Sequence, residues 1–355
     1  MFVRIKGAGA SSISGPRGEF LVNAPNNKTT RFYNLNLRHP CKKAEDYLQN
    51  NLAAIFFGEI SIEDILKGDH TQLTTRQAAE ARAFCKIANN ADQNIVIVTI
   101  ADDKVWIYKP MGAVRDGEII SYQDKRSASH GGLKDREKLL PIEHLIPGAV
   151  EPGGYRRIQD VPLILASMKA NQYFARSTFT EIRPERHPGN IFAIQCEINK
   201  HPAKVPELLD CLSSIELETL VAKLFEKSGF FVPAYKGGFL QNIDLFVRTL
   251  STKPITFMGR DWHANVTYAL QVKRDHGGMS TSLADWINAD PMHRVLVTAS
   301  DLSARDRQKF GSSCLCLQDI KEALKACSDT TKKWLDESLR WMRPSPDSSQ
   351  TTTVM

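Results

Sequence analysis

Four polar side chains sit inside runs that are otherwise apolar, and their types are those of metal-assisted hydrolysis. In "YALQVKRD", residues 268–275, strand alternation puts Tyr268, Leu270 and Val272 on one side and Ala269, Gln271 and Lys273 on the other. An amide and an ammonium on one face of an apolar strand are costly to bury without partners. Two carboxylates in nearby apolar elements are candidate partners: Asp244 inside "IDLFV", and Glu218 on a helix, one position from Leu217 and three from Val221. Carboxylate and amide oxygens, with the backbone carbonyl of Val272, are hard ligands that suit Mg²⁺, with Mn²⁺ as an alternative. A lysine beside them steadies a developing oxyanion or positions an attacking water. Together Glu218, Asp244, Gln271 and Lys273 suit hydrolysis of a phosphodiester.

The elements that must position these residues follow from periodicity. "ELETLVAKLFEKSGF" sets Leu217, Leu220, Val221, Leu224 and Phe225 at helical spacing, and Gly229 stops the helix. "NIDLFVRTL" and "VTYALQVKRD" read as strands, "TSLADWINA" as a helix, "HRVLVTAS" as a buried strand. "SARDRQKFG" reads as a short helix, "SCLCL" as a strand and "QDIKEALKAC" as a helix. Strands alternating with helices predict an α/β domain on a central mixed sheet.

In this order the residues resemble the PD-(D/E)XK nuclease superfamily, and within it the Mrr-like restriction endonuclease branch. The segments that carry the likeness are "LETLVAKLFEKSGF", "KGGFLQNIDLFV" and "ALQVKR", and the match spans about residues 205–328. The resemblance implies a C-terminal restriction-endonuclease-like domain with a central mixed β-sheet flanked by helices. It implies that Glu218 is the helix glutamate, Asp244 the metal-binding aspartate and Lys273 the catalytic lysine. Gln271 stands where most of the superfamily has Glu or Asp. Metal would be held by Asp244, Gln271, Val272 and Glu218. The turn before Asp244, "GGFLQNID", lacks the acid common in the branch, which shifts the metal's dependence onto Asp244 and Glu218. The implied activity is Mg²⁺-dependent DNA cleavage in restriction or defence against foreign DNA. A DNA-binding scaffold on a non-cleaving nuclease fold and a repair-type nuclease acting on branched or damaged DNA are the alternatives. A homodimer is left open.

The remaining chain frames this domain. With 355 residues, 42% of them hydrophobic, it has material for two cores. A net charge of +6 permits an anionic partner without requiring one. The seven cysteines include no C-x-x-C pair, so a disulfide framework or zinc site is not expected and a reducing cytoplasm fits. The opening "MFVRIKGAGASS" has no long apolar core, and no run approaches a membrane span, so neither leader peptide nor membrane partner is expected. An N-terminal α+β recognition or sensor domain is expected over 1–150, a connecting region over 151–204, the nuclease-like domain over 205–340 and a disordered tail over 341–355. In the first domain "NIVIVTIADDKVWIYKP" reads as a hairpin. "TTRQAAEARAFCKIANNA" reads as a helix capped by Thr74 or Thr75, and "ISIEDILKG" as a helix ended by Gly68. "DVPLILASMKANQYFARSTFTEI" reads as a helix opened by Asp160, and "NIFAIQCEI" as a strand.

Lesser signals carry two readings each. Asp261 and His263 lie between the two site strands, near substrate or at a surface hairpin. Lys236 and Arg274 flank the site and are placed to meet phosphates. Over 156–187, Arg156, Arg157, Lys169, Arg176, Arg183 and Arg186 outnumber Asp160, Glu181 and Glu185, interleaved with Tyr173, Phe174 and Phe179. That pattern suits nucleic acid or a partly buried amphipathic helix. Trp106 and Tyr108 form either a stacking platform or core.

Overall fold

The computed structural model describes residues 30–69, 73–87, 94–122, 133–146, 154–169, 174, 176–199, 208–235, 243–274 and 281–340. The first part of the chain contributes β1 (Thr30–Leu35), α1 (Ala44–Gln49), β2 (Leu52–Phe56), α2 (Ile62–Lys67) and α3 (Thr75–Lys86). Next come β3 (Asn94–Ala101), β4 (Lys104–Pro110), β5 (Arg115–Tyr122), β6 (Leu133–His144), β7 (Tyr155–Arg157), α4 (Leu163–Ala166) and β8 (Phe179–Ile182). α5 (Pro188–Asn199) leads into α6 (Ser214–Lys227), β9 (Phe230–Tyr235), β10 (Leu245–Thr249), β11 (Ile255–Phe257), β12 (Arg260–Trp262) and β13 (Thr267–Lys273). The chain continues through α7 (Thr281–Asn288), β14 (Arg294–Thr298), α8 (Ala304–Phe310), β15 (Cys314–Leu315), α9 (Leu317–Ala326) and α10 (Asp329–Arg340).

The protein is α/β, built on two mixed sheets. The first has the order β2-β6-β4-β3-β1-β8, with β5 on β6 and β7 on β4. Its turns and caps follow local chemistry. Asp102 and Asp103 turn the β3–β4 hairpin at φ 48° and 60°, a region short polar side chains tolerate. Ser61 and Thr74 cap α2 and α3 through capping boxes, and Gly68 closes α2 at φ 89°. One face of this sheet packs Ile97, Trp106 and Leu140 against Leu48, Ile65 and Phe84 of α1–α3. Trp106 and Tyr108 are fully buried, so they are core and not a platform; Tyr108 Oη lies 2.7 Å from Thr99 Oγ1.

The sheet does not stop near residue 150, where the boundary was expected. β7 pairs with β4 and β8 pairs with β1, so part of the expected connection is strand. One apolar core contains Val98 and Ile107 of the first sheet together with Leu270 and Val295 of the second. The expected helix from Asp160 is also broken up. Asp160 ends a 3₁₀ turn, α4 has four residues, and Phe179–Ile182 is an edge strand. Runs this short carry too few periods to be told from loop in a sequence.

α5 was expected as a strand. Ile191, Phe192, Ala193 and Ile194 are all buried, because the helix lies in the shared core. A helix whose apolar residues run consecutively shows little of the 3.6 period that would reveal it. Pro188 stands at its first position, where a missing N–H costs nothing. Gly189 allows the close approach that follows: a Cβ there would lie 1.9 Å from Asp210 O.

The second sheet has the order β15-β14-β13-β10-β9, antiparallel across β9–β10–β13 and parallel across β13–β14–β15. α6 covers one face with Leu217, Leu220, Val221, Leu224 and Phe225, each contributing roughly 1.5–3 kcal/mol of burial. Its start is fixed by Ser213, whose Oγ accepts from Glu216 N–H at 3.2 Å while Glu216 Oε2 accepts from Ser213 N–H at 2.8 Å. α7 and α8 cover the other face around Leu283, Ile287, Leu296 and Phe310. Cys314 and Cys316 are buried there as small apolar groups. No helix among the described residues is long and apolar enough to cross a membrane.

Candidate active site

Asp244 precedes β10 by one residue and is bound twice to β13. Its N–H donates to Leu270 O at 2.8 Å, and its Oδ2 accepts from Val272 N–H at 2.7 Å. The two bonds bracket Gln271. Asp244 therefore stands at the strand position that also carries Gln271, Val272 and Lys273.

The backbone of β13 alternates its partners. Ala269 N–H donates to His293 O at 2.8 Å and Lys273 O accepts from Ala299 N–H at 3.0 Å, both toward β14. Leu270 and Val272 turn their groups the other way, toward Asp244. N–H and C=O of one strand residue share an edge. The Val272 carbonyl thus projects from the same edge as the Asp244 carboxylate.

Side chains separate by face. Leu270 and Val272 lie beside Val295 and Val297 in the core under α6. Gln271 lies beside Leu296, and Lys273 beside Thr298, on the α7 side. Gln271 is buried and Lys273 is half-buried. Glu218 belongs to α6, so its helix lies over the face opposite to Gln271 and Lys273. Among the described residues the hydrogen bonds of Asp244 go to Leu270 and Val272, and none reaches Glu218. The fold brings Asp244, Gln271, Val272 and Lys273 to one strand end, while Glu218 sits on α6, over the opposite face, without a bond to Asp244. Arg274, next along, turns to the α6 side. Burial raises the Glu216 carboxyl above its usual range, against the bonds from Ser213 and the charge of Arg274. Lys236 and most of the glycine-rich turn, residues 236–242, lie outside the described residues.

Among the described residues no group of three His, Cys, Asp or Glu is placed to hold a metal ion. The edge of β13 offers one carboxylate oriented by Val272 N–H and one carbonyl, with the Gln271 amide on the adjoining α7 face. Asp244 Oδ1 makes no hydrogen bond among the described residues. One fixed carboxylate with neutral oxygens fits Mg²⁺, which keeps several waters and is completed by substrate phosphate.

Asp261 and His263 belong to a surface hairpin. β11 and β12 pair antiparallel through a turn at Met258 and Gly259, both at positive φ. Asp261 Oδ1 accepts from Thr256 Oγ1 at 2.6 Å. The hairpin leaves from the end of β10 opposite to Asp244, about 15 Å away at roughly 3.3 Å per residue. What holds it is Arg260, which sequence reasoning did not single out. The Arg260 guanidinium is buried, donates to Ser312 O at 2.8 Å and Met292 O at 2.6 Å, and lies over Trp262 and Tyr268. Thr298 and Ser300 were also missed. Ser300 N–H donates to Thr298 Oγ1 at 3.2 Å, and Ser300 Oγ donates to Arg274 O at 3.2 Å, fixing the strand end that carries Lys273. Their signal was position: hydroxyls at and just past the C-terminal end of a parallel strand, where α/β sheets collect ligands.

No protein-family model matches the chain, and no curated protein matches it. A solved structure with which it aligns is the MspJI restriction endonuclease in complex with a 27-mer oligonucleotide, at 11% identity over 82% of this chain and 74% of that one. The TM-score is 0.25, a superposition too loose to bear on fold or function.

Proposed function

We propose that the protein is a divalent-metal-dependent endonuclease that hydrolyses DNA phosphodiester bonds, in restriction or defence against foreign DNA. One observation supports this above others. The carboxylate of Asp244 is tied to the N–H of Val272, the residue between Gln271 and Lys273. The bond keeps that carboxylate next to the two residues that the resemblance to PD-(D/E)XK nucleases singles out, Gln271 and Lys273.

The chemistry divides among the residues. Asp244 holds its carboxylate in a fixed orientation before substrate arrives, so little ordering is needed at the moment of reaction. Gln271 and the Val272 carbonyl add neutral oxygens. Asp244, Gln271 and the Val272 carbonyl would hold Mg²⁺ or Mn²⁺, which would supply positive charge at the phosphate and make water a better nucleophile. Lys273 places an ammonium on the same face, where it stabilises the charge that develops on a non-bridging phosphate oxygen. Buried Gln271 and the core below it keep this end of the strand dry on one side, which strengthens both interactions.

A second reading has its own support. Gln271 is an amide where a second carboxylate would strengthen metal binding, and Glu218 has no bond to Asp244. A fold that binds DNA without cleaving it would show this. Plasmid DNA of several methylation states, incubated with the protein in Mg²⁺ or EDTA, separates the two. Cleavage that requires the metal supports the nuclease. Binding with no cleavage under any condition contradicts it.

A further inference from the structure

We propose that a basic groove along the β1–β8 edge of the first sheet binds the phosphate backbone of a nucleic-acid strand. Three cavities of about 680, 170 and 590 Å³ lie side by side there. Asn36 and Arg38 line both the first and the second, and Arg176 and Ser177 line both the second and the third. Shared walls make one continuous groove.

Its charge is one-sided. Arg38, Lys42, Lys43 and Lys169 line the first cavity, and Arg176 and Arg183 the third. All six are exposed, and none makes a side-chain hydrogen bond or ion pair with a described residue. The groove's acids are mostly occupied. Glu80 pairs with Arg76 and accepts from Thr178 N–H at 2.7 Å, and Glu181 pairs with Arg31 at 2.6 Å. That leaves Asp102 against six cations. A merely solvated face interleaves its signs; an unpaired single-sign groove is the footprint of a polyanion.

The fold builds this surface from separate segments. Residues 38–43, 169 and 176–183 meet only because β8 joins β1. Asn36 Nδ2 donates to Ser177 O at 2.5 Å and fixes the floor between the first and third cavities. Lys169, Arg176 and Arg183 are the basic residues whose spacing with aromatics already suited nucleic acid. The first cavity alone is of a size to take one nucleotide, but three in a row suit an extended strand read through its phosphates. The proposal rests on the nuclease reading only for choosing nucleic acid as the polyanion.

The test uses the full chain in EDTA, with fluorescence anisotropy on a labelled duplex, a labelled single strand and a labelled free nucleotide, over a salt series. Each phosphate contact contributes about 0.9 to the slope of log affinity against log salt on duplex and about 0.7 on single strands. Arg38→Gln/Lys42→Gln/Lys43→Gln/Lys169→Gln is expected to lower the duplex slope by about 3.6, from four lost contacts. Lys332→Gln/Lys333→Gln, exposed on α10, is expected to leave the slope unchanged. Asp102→Asn removes the opposing charge and keeps a residue that tolerates positive φ, so it is expected to tighten binding severalfold. Circular dichroism checks that each variant is folded. An unchanged slope in the quadruple variant, no strand binding by the parent, or binding of the free nucleotide alone overturns the proposal. Strand binding through the groove without any cleavage upholds it and overturns the nuclease reading. Cleavage by a quadruple variant that binds like the parent overturns the groove alone.

Discussion

Val272 N–H donates to Asp244 Oδ2 at 2.7 Å, joining the residue before β10 to the residue between Gln271 and Lys273. The bond orients a carboxylate that otherwise rotates freely. It also separates two roles of Asp244 that substitution can test. Asp244→Asn keeps an acceptor oxygen for Val272 and removes the charge. It is expected to melt within a few degrees of the parent but to lose Mn²⁺ binding in titration calorimetry. Asp244→Ala leaves the Val272 N–H unpaired, adding a stability loss of about 1–3 kcal/mol. Equal Mn²⁺ affinity in Asp244→Asn and the parent would show that the carboxylate holds no metal.

Gln271→Glu adds a second carboxylate at the bracketed position. Even at bulk-water screening, one added charge about 4 Å from a divalent ion contributes on the order of 1 kcal/mol per unit charge. The Mg²⁺ concentration for half-maximal cleavage is expected to fall at least about fivefold. Metal titrations of the cleavage rate check this. A rise in the required Mg²⁺ would mean that Gln271 does not face the ion.

Arg260→Met removes the clamp under the β11–β12 hairpin. Met292 O and Ser312 O lose their donor, and the rings of Trp262 and Tyr268 lose their cation. The expected cost is about 2–4 kcal/mol in denaturant unfolding. The hairpin lies at the far end of the strands from Asp244, so metal binding by the folded variant should be unchanged. A variant as stable as the parent would contradict this account of Arg260.

Much of the fold was legible because local chemistry and tertiary structure agree. The β3–β4 turn at Asp102 and Asp103, the Thr74 cap of α3 and the stripe of α6 each carry their signal within a few residues. The site was legible in part. Alternation put Gln271 and Lys273 on one face of β13, but no local rule could tell that α6, with Glu218, covers the other. α5 reads as a strand because four consecutive apolar residues, Ile191–Ile194, hide its helical period. β8 was missed because four residues at a sheet edge become a strand only when β1 supplies their partners. Arg260 carries no local signal, since its acceptors come from residues 32 and 52 positions away.

Lys138 gives the first sheet a pH signature. It is fully buried on β6, donating to Arg136 O at 2.8 Å and Gly58 O at 3.3 Å, and burial lowers its pKa from 10.5 to about 8. Below about pH 8 folded and unfolded chains both carry the charge, and the cost of burying it is borne in full. Between about 8 and 10.5 the unfolded chain binds more protons, so stability rises with pH in that window. Thermal melts across this range are expected to show the rise in the parent and a flatter profile in Lys138→Met. Identical profiles would remove Lys138 as the cause.

If the end of β13 cleaves DNA, Lys273→Ala separates cleavage from binding. Cleavage needs charge stabilised at one phosphate, whereas affinity comes from many dispersed contacts. Nicking and mobility shift are measured on the same plasmid, with Mg²⁺ for the first and EDTA for the second. Lys273→Ala is expected to lose nicking and to bind DNA within about twofold of the parent, one contact being a small share of the total. Nicking by Lys273→Ala at the parent's rate would contradict it and place the chemistry elsewhere in the chain.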